Sequence, residues 1–421
     1  MRRAFLNADL PTGRGGLLID GEKILAVGSA VTAANVAGTE IHDCKGLTIL
    51  SGLIDMRVFT GEPGSEYRET LASASEAAAA GGVTTMIVMP NTAPVIDDAA
   101  MVDFILRRAR DTAKVRVAPM AAITKGTAGA LMAELGLMKE AGAVAVTDGV
   151  RSVASAALLR RAMLYARDHD ILVVQHVEEP TLSSGVMNAG ERASRLGLAG
   201  SYALSEVMLL ERDLRLVEMT GCRYHAAQIS CAQSVEVIAR AKDKGLLISC
   251  GVSINHLSLN EGDVGPYRSF FKLSPPLRSE EDRLALVAGL ADGVIDVVVS
   301  GHDPQSDDTK RLPFAEAAFG AIGLETLLSA SLNLVHNKNI SLTRLSKALS
   351  EAPARLLGLA QGRLAVGAPA DFIVVNPHLN WKVEPANLHS RSKNSPFEHR
   401  TLEGRAIQTW VAGRQVYSYA G

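Results

Sequence analysis

A chain of 421 residues, 47% hydrophobic and 21% charged, holds enough material for one large core and a smaller module, so one or two domains are expected. A formal net charge of −2 gives no electrostatic reason to expect nucleic acid or an anionic membrane as partner. The four cysteines, Cys44, Cys222, Cys231 and Cys250, are widely spaced without a C-x-x-C pair, which argues against a zinc knuckle or a disulfide framework.

The chain opens with Arg2 and Arg3 before any apolar run of signal length. No stretch approaches the roughly 18 apolar residues of a membrane span. The expectation is a reduced, soluble, cytoplasmic protein. Residues 1–50 alternate short apolar runs with turn residues, as in Gly16–Asp20, Ile24–Gly28 and Thr48–Leu50, a pattern of short strands. From 51 to 355, apolar runs of strand length alternate with helix-like Ala/Leu/Glu/Arg segments. The runs are Ile54–Val58, Thr84–Met89, Val115–Ile123, Ala143–Thr147, Ile171–His176, Arg223–Ile229, Leu246–Val252 and Ile295–Ser300. All but the last precede helix-like sequence. Continuous apolar runs suit strands buried on both faces of a parallel sheet. Eight such units are most simply a (β/α)8 barrel, although pattern alone leaves a doubly wound sheet open. Strand-like sequence returns in Gly367–Val375 and Ile407–Tyr417.

Several longer motifs are more specific. They are Gly52-Leu-Ile-Asp-Met-Arg57-Val-Phe59-Thr-Gly61-Glu-Pro-Gly64, Gly81-Gly-Val-Thr-Thr followed by Met89-Pro-Asn91-Thr, and Gly185-Val-Met-Asn-Ala-Gly190. Further along come Phe271-Lys-Leu-Ser274-Pro-Pro-Leu-Arg278 and Gly320-Ala-Ile-Gly-Leu-Glu325-Thr. In this order they resemble the dihydroorotase family of the cyclic amidohydrolase superfamily, over nearly the whole chain. The resemblance implies an α/β fold: a (β/α)8 barrel over 51–355 with a composite β-sandwich from 1–50 plus 356–421.

The same resemblance exposes what is missing. In the family the first strand carries His-x-His, whose imidazoles share a strand face and bind zinc. Those positions hold Arg57 and Phe59. A guanidinium stays protonated and has no lone pair for a metal, and a phenyl ring offers none. Gly61 stands where the family's substrate-gripping arginine would be, Gln228 where the second histidine of the sixth strand would be, and Gly301 where the proton-moving aspartate would be. Ser274 and Gln305 replace a further asparagine and histidine. His176 and Asp148 survive as metal-site positions, and Asn91 survives as a vestigial ligand-binding position.

Hydroxide for amide attack needs zinc to lower the pKa of bound water to about 7. Zinc takes roughly three or four protein ligands, and one imidazole with one carboxylate falls short. Loss of the general base alone removes about 10²–10⁴-fold. The expectation is a pseudoenzyme of pyrimidine biosynthesis with no catalytic residues and no cofactor. Among resembling proteins it is most like the noncatalytic subunits that accompany aspartate transcarbamoylase. Partners implied by that resemblance are the transcarbamoylase catalytic subunit, in a hetero-oligomer, together with a homodimer of this chain. The alternative is an active dihydroorotase with an altered zinc site resting on His176, Asp148, His302 and Asn91. A third reading is a sensor that binds a pyrimidine in the altered pocket.

For Arg57 two readings stand: an ion pair with Asp148, with Asp55 as a further partner, or a side chain that snorkels to the barrel mouth. Phe59 is read as filling the volume left by metal and water. His302, Asp303, Asp307 and Asp308 are read as a solvated acidic loop rather than a new metal site. His225, His256 and Cys231 are read as satisfied structural groups, and 387–393 as ordinary loop surface.

Overall fold

A computed structural model describes residues 2–36 and 38–420. Eight parallel strands form the central sheet: β1 (Leu53–Val58), β2 (Val83–Val88), β3 (Arg116–Ala121), β4 (Ala145–Val146), β5 (Val173–Gln175), β6 (Tyr224–Ala226), β7 (Ile248–Ser253) and β8 (Val297–Val299). They lie side by side in chain order, and Phe59 donates its N–H to the His302 carbonyl at 2.9 Å, which brings β8 round to β1. The sheet is thereby nearly closed, an α/β barrel. Its strands carry the eight apolar runs legible in the sequence.

The barrel interior is a packed core. Ile54, Met56, Ile87, Leu172, Val174 and Val299 belong to one buried cluster, plugged at the N-terminal end by Leu357 and reached at the other end by Phe59. The outward strand residues face the helices, as in helix Leu71–Ala80, whose alanines permit close approach. That helix starts at Thr70, which accepts from Ser73 N while Ser73 reaches back to Thr70 N. Glu62 of the Gly-Glu-Pro motif accepts from Leu71 N at 2.7 Å and from Arg108 Nε at 2.5 Å, so this motif residue holds the first helix. The helix Leu327–His336 follows β8 only after a long loop and packs against the terminal sheet.

Strands from both termini share one further eight-stranded sheet. The join is antiparallel pairing of Thr48–Ser51 with Phe372–Lys382, Ser51 opposite Phe372 and Thr48 opposite Val375. Alternation along that strand separates two cores: Phe372 and Val374 pack with Phe5 and Trp410, while Ile373 and Val375 pack against the barrel side. Arg116 Nε donates to Asp371 Oδ2 at 2.6 Å, tying β3 to the sheet. No helix among the described residues is long and apolar enough to cross a membrane.

Candidate functional site

The C-terminal ends of the strands surround a cavity of about 480 Å³. Arg57 and Phe59 both line it. As alternate residues at the end of β1 they share a face, and the pairing of β1 with β2 changes register just before them, between Asp55 and Val58. The Arg57 guanidinium carbon sits 5.3 Å from the Phe59 ring centroid. Among the described residues Arg57 has no side-chain ion pair within 4.0 Å, and its Nη1 is enclosed without a hydrogen-bond partner. Burial pulls its pKa down, opposed by the negative charges of Asp303, Glu178 and Asp55.

The pairing of Arg57 with Asp148 and Asp55 expected from sequence is not formed. Asp148 is buried behind β4 and accepts from Thr124 N at 2.9 Å and Thr124 Oγ1 at 2.6 Å, so its two oxygens are already engaged. Burial keeps its carboxyl above the usual range despite those bonds. Asp55 is fully buried and accepts from the backbone N–H groups of Arg57 and Ser300, each at 3.2 Å. Burial pushes its carboxyl up to about 6.

Asn91, at the end of β2, lines the cavity and donates from Nδ2 to the Asp148 carbonyl at 3.2 Å, leaving Oδ1 enclosed without a partner. His176 follows β5 and is buried. Its Nε2 lies 2.8 Å from Glu178 Oε2, and its Nδ1 has no partner. Burial raises the Glu178 carboxyl, but His176, Arg278 and Ser274 more than offset this and hold it below the usual range.

Gln228, after β6, reaches the cavity wall, and its Nε2 lies 3.2 Å from His256 Nδ1. His256 Nε2 in turn approaches the Pro275 carbonyl at 3.1 Å, so Nε2 carries the proton and Nδ1 accepts from the Gln228 amide. Burial, then the Arg278 charge, lowers this imidazole to about 4 and keeps it neutral at pH 7. His225 contacts Ser249 Oγ and Cys231 contacts Ser234 Oγ, so these groups are dispersed.

Past β8, Gly301 adopts φ +65°, a left-handed conformation that side chains disfavour. A Cβ there would sit 3.0 Å from Ser253 Oγ. Gly61 likewise has φ +72°, and a Cβ would meet the Ser65 carbonyl at 2.6 Å. The backbone at both positions has therefore settled on glycine. His302 turns inward toward Glu69, Asp303 faces the cavity, and Asp307 and Asp308 lie exposed at a short helix start, so this segment does not converge on one point.

These donors do not fit a metal centre of the amidohydrolase kind. Arg57 and Phe59 offer no lone pair at the end of β1, Gln228 offers only an amide after β6, Gly301 offers no side chain after β8, and both Asp148 oxygens are engaged by Thr124. Among the described residues the three-donor group within mutual reach is His336, His378 and Glu403, where helix Leu327–His336 meets the terminal sheet, away from the mouth.

Strand-end reasoning omitted β7, where Ser253 and Asn255 line the cavity. Arg68, whose Nη1 donates to Gln305 Oε1 at 3.2 Å, lies far along the first loop and carried no motif signal. The segment 387–393, read from sequence as loop surface, is instead a clamp. Ser390 and Ser392 are buried, the Ser390 hydroxyl and Arg391 N donate to Glu69, and the backbone of His389 and Ser390 donates to Glu325. Buried carboxylates need such donors, and a polar loop supplies them.

Residues 46–234 match the Dihydro-orotase-like family and residues 291–417 match the Amidohydrolase family. The protein named Dihydroorotase of Syntrophus aciditrophicus (strain SB) is 41% identical over 406 residues, covering 96% of this chain and 95% of that protein. Dihydroorotase of Desulfotalea psychrophila (strain LSv54 / DSM 12343) is 43% identical over 377 residues, 89% of each. Among solved structures, L-hydantoinase (dihydropyrimidinase) from Arthrobacter aurescens matches with a TM-score of 0.90 at 26% identity, covering 99% of this chain and 96% of that one.

Proposed function

We propose that this chain, which belongs to the dihydroorotase-like family of cyclic amidohydrolases, has lost amide hydrolysis and serves pyrimidine synthesis as a structural subunit of aspartate transcarbamoylase. The observation that carries the first half is the occupation of the first-strand metal positions by Arg57 and Phe59, which touch each other across the mouth. A permanent cation repels a dication, and among the described residues no three donors converge at the mouth to hold a metal that would ionise water.

The second half is supported by an undamaged scaffold around an erased site, and by surface chemistry. On helix Ala203–Thr220 the side chains of Leu204, Met208 and Met219 share a face and are 53%, 49% and 64% exposed. Co-expression with the transcarbamoylase, followed by size exclusion with light scattering, tests it. A single co-eluting complex is expected, and two separate species at micromolar concentration defeat the proposal.

A second reading, a working dihydroorotase with a displaced zinc site, is favoured by the names of the relatives and by the survival of His176 and Asp148. Elemental analysis and a dihydroorotate hydrolysis assay discriminate. Stoichiometric zinc with turnover above background establishes the second reading in place of the first.

A further inference from the structure

Away from the mouth, helix Leu327–His336 packs onto the terminal sheet in a way that gathers two imidazoles and a carboxylate. The contact is built around Gly404, in the strand Thr401–Val411. Its φ of +87° suits glycine, and a Cβ there would meet Leu332 Cδ1 of the helix at 2.5 Å. The Ser329 hydroxyl donates to the Gly404 carbonyl, and Trp381 Nε1 donates to Ser329 Oγ at 3.0 Å. Helix and strand are thus held at close range. Glu403, next to Gly404, comes to face His336, the last residue of the helix.

The neighbouring strand Phe372–Lys382 brings the third group. Its register slips between Asn376 and Asn380, so that Pro377, His378 and Leu379 stand opposite Gly404 alone. Such a bulge re-aims side chains, and Asn376 Oδ1 pins it by accepting from His378 N at 3.1 Å. His378 Nδ1 lies 3.1 Å from Glu403 Oε1, and His336 Nδ1 lies 3.5 Å from Glu403 Oε2. The His336 nitrogen is enclosed and makes no hydrogen bond, so pairing with Glu403 alone does not satisfy it. All three ligating atoms lie within 4.8 Å of one another. Two ligands of a tetrahedral ion, each bonded at about 2.1 Å, stand about 3.4 Å apart. Each imidazole is already at about that separation from the carboxylate, and His378, 77% exposed, is free to swing the remaining distance.

We propose that His336, His378 and Glu403 bind a divalent transition ion, Zn²⁺ being the one the donors suit. Imidazole nitrogen and carboxylate oxygen are ordinary zinc ligands, and solvent can fill the fourth position at this exposed edge. Each imidazole can carry its proton on Nε2 and leave Nδ1 for the metal. His336 sits at a helix C-terminus, where the field of the carbonyls favours a cation. The ion staples the helix to two strands of the terminal sheet, which is a structural role and adds no reaction. This inference depends neither on the assembly role nor on the mouth.

Isothermal titration of the full chain with Zn²⁺ is the test, with Mg²⁺ as a hard-ion control. One Zn²⁺ per chain is expected, with a dissociation constant in the micromolar range, and no uptake of Mg²⁺. His378→Ala and Glu403→Gln should each weaken binding at least about tenfold to a hundredfold, since loss of an outer-sphere partner alone does as much. His399→Ala, which removes an exposed imidazole paired with Glu384, should leave it unchanged. Zn²⁺ should also raise the thermal unfolding midpoint of the parent and not that of His378→Ala, a surface variant whose fold is not at stake. The proposal is overturned if Zn²⁺ binds only in the millimolar range, or if binding survives both substitutions. Binding that survives them and is lost in His176→Gln overturns it in favour of an ion at the mouth. Each of these results leaves the assembly proposal to its own experiment.

Discussion

Behind the barrel mouth the buried carboxylates Glu69 and Glu206 have a donor at each oxygen, whereas at the mouth the buried Asp55 keeps one oxygen without a partner. Glu69, fully buried, accepts from Ser73, Ser390 and Arg391. Glu206 accepts from Ser230 N at 2.8 Å, and Arg278 donates to Ser230 Oγ at 3.0 Å, Asn188 Oδ1 at 3.0 Å and the Ser201 carbonyl at 2.8 Å. Arg57 and Asn255, a few residues away in the same barrel, each keep an enclosed atom without a partner. The difference teaches that the stability of a buried carboxylate here is set by the donors its neighbours supply. Loops from distant parts of the chain bring hydroxyl and backbone donors to Glu69 and Glu206, while Asp55 has only two backbone N–H groups on one oxygen.

The comparison breaks if the network around those carboxylates proves dispensable. Arg278→Met should be the most damaging change, costing about 3–5 kcal/mol because Glu206 would stay buried without its compensating charge. Urea unfolding measures this, and a cost comparable to a surface substitution would show that the network is not what holds Glu206. Glu69→Gln should cost about 1.5–3 kcal/mol, the range for a hydrogen bond to a charged group. It should also loosen 387–393, read as faster amide hydrogen exchange of Ser390 and Arg391.

Much of this was legible beforehand, for a physical reason. The eight apolar runs announce buried parallel strands, because a strand covered on both faces has no need to alternate. Arg57, Phe59, Gly61, Gln228 and Gly301 were legible as a group because strand ends are where a barrel gathers its site, and all five line the one cavity. What could not be read was where surviving polar groups turn. Asp148 and Arg57 look like natural partners in one dimension, but Thr124 offers Asp148 two donors at short range and takes it away. The clamp at 389–391 was hidden because a run of Ser, Arg and Lys looks solvated unless the carboxylates it meets, Glu69 and Glu325, are known to be buried.

Asp55 sharpens the contrast through pH. Its carboxyl is raised from 3.8 to about 6 by burial at the root of the mouth. A raised carboxyl binds its proton more tightly folded than unfolded, so its ionisation opposes folding at pH 7. That opposition fades as pH falls through about 6 and is gone below 3.8. Asp55→Asn should therefore stabilise the protein by about 1–2 kcal/mol at neutral pH, with an advantage over the parent that closes across that window. Glu69 runs the other way: burial raises its carboxyl, but His302 and Ser390 lower it further, so its contribution is lost on acidification. Thermal unfolding of parent and Asp55→Asn between pH 7 and 4 reads the difference, and parallel curves would remove the claim.

The smallest effect expected is at Gly301, and it bears most directly on whether the mouth can take a metal. Gly301→Asp restores the residue type that the family uses, yet it must do so at φ +65° with its Cβ 3.0 Å from Ser253 Oγ. Aspartate tolerates the left-handed region better than most residues, and Asn255 Nδ2, 3.7 Å from the new Cβ, gives the carboxylate a neighbouring donor. The cost should therefore be about 1 kcal/mol. The same contact argues against a gain of function: a carboxylate satisfied by Asn255 is not presented to a metal, and Arg57 still holds the place of the first imidazole. Elemental analysis after dialysis against zinc should find no more metal in Gly301→Asp than in the parent. An extra equivalent in this single variant would mean that the mouth is one residue, rather than several, away from a metal site.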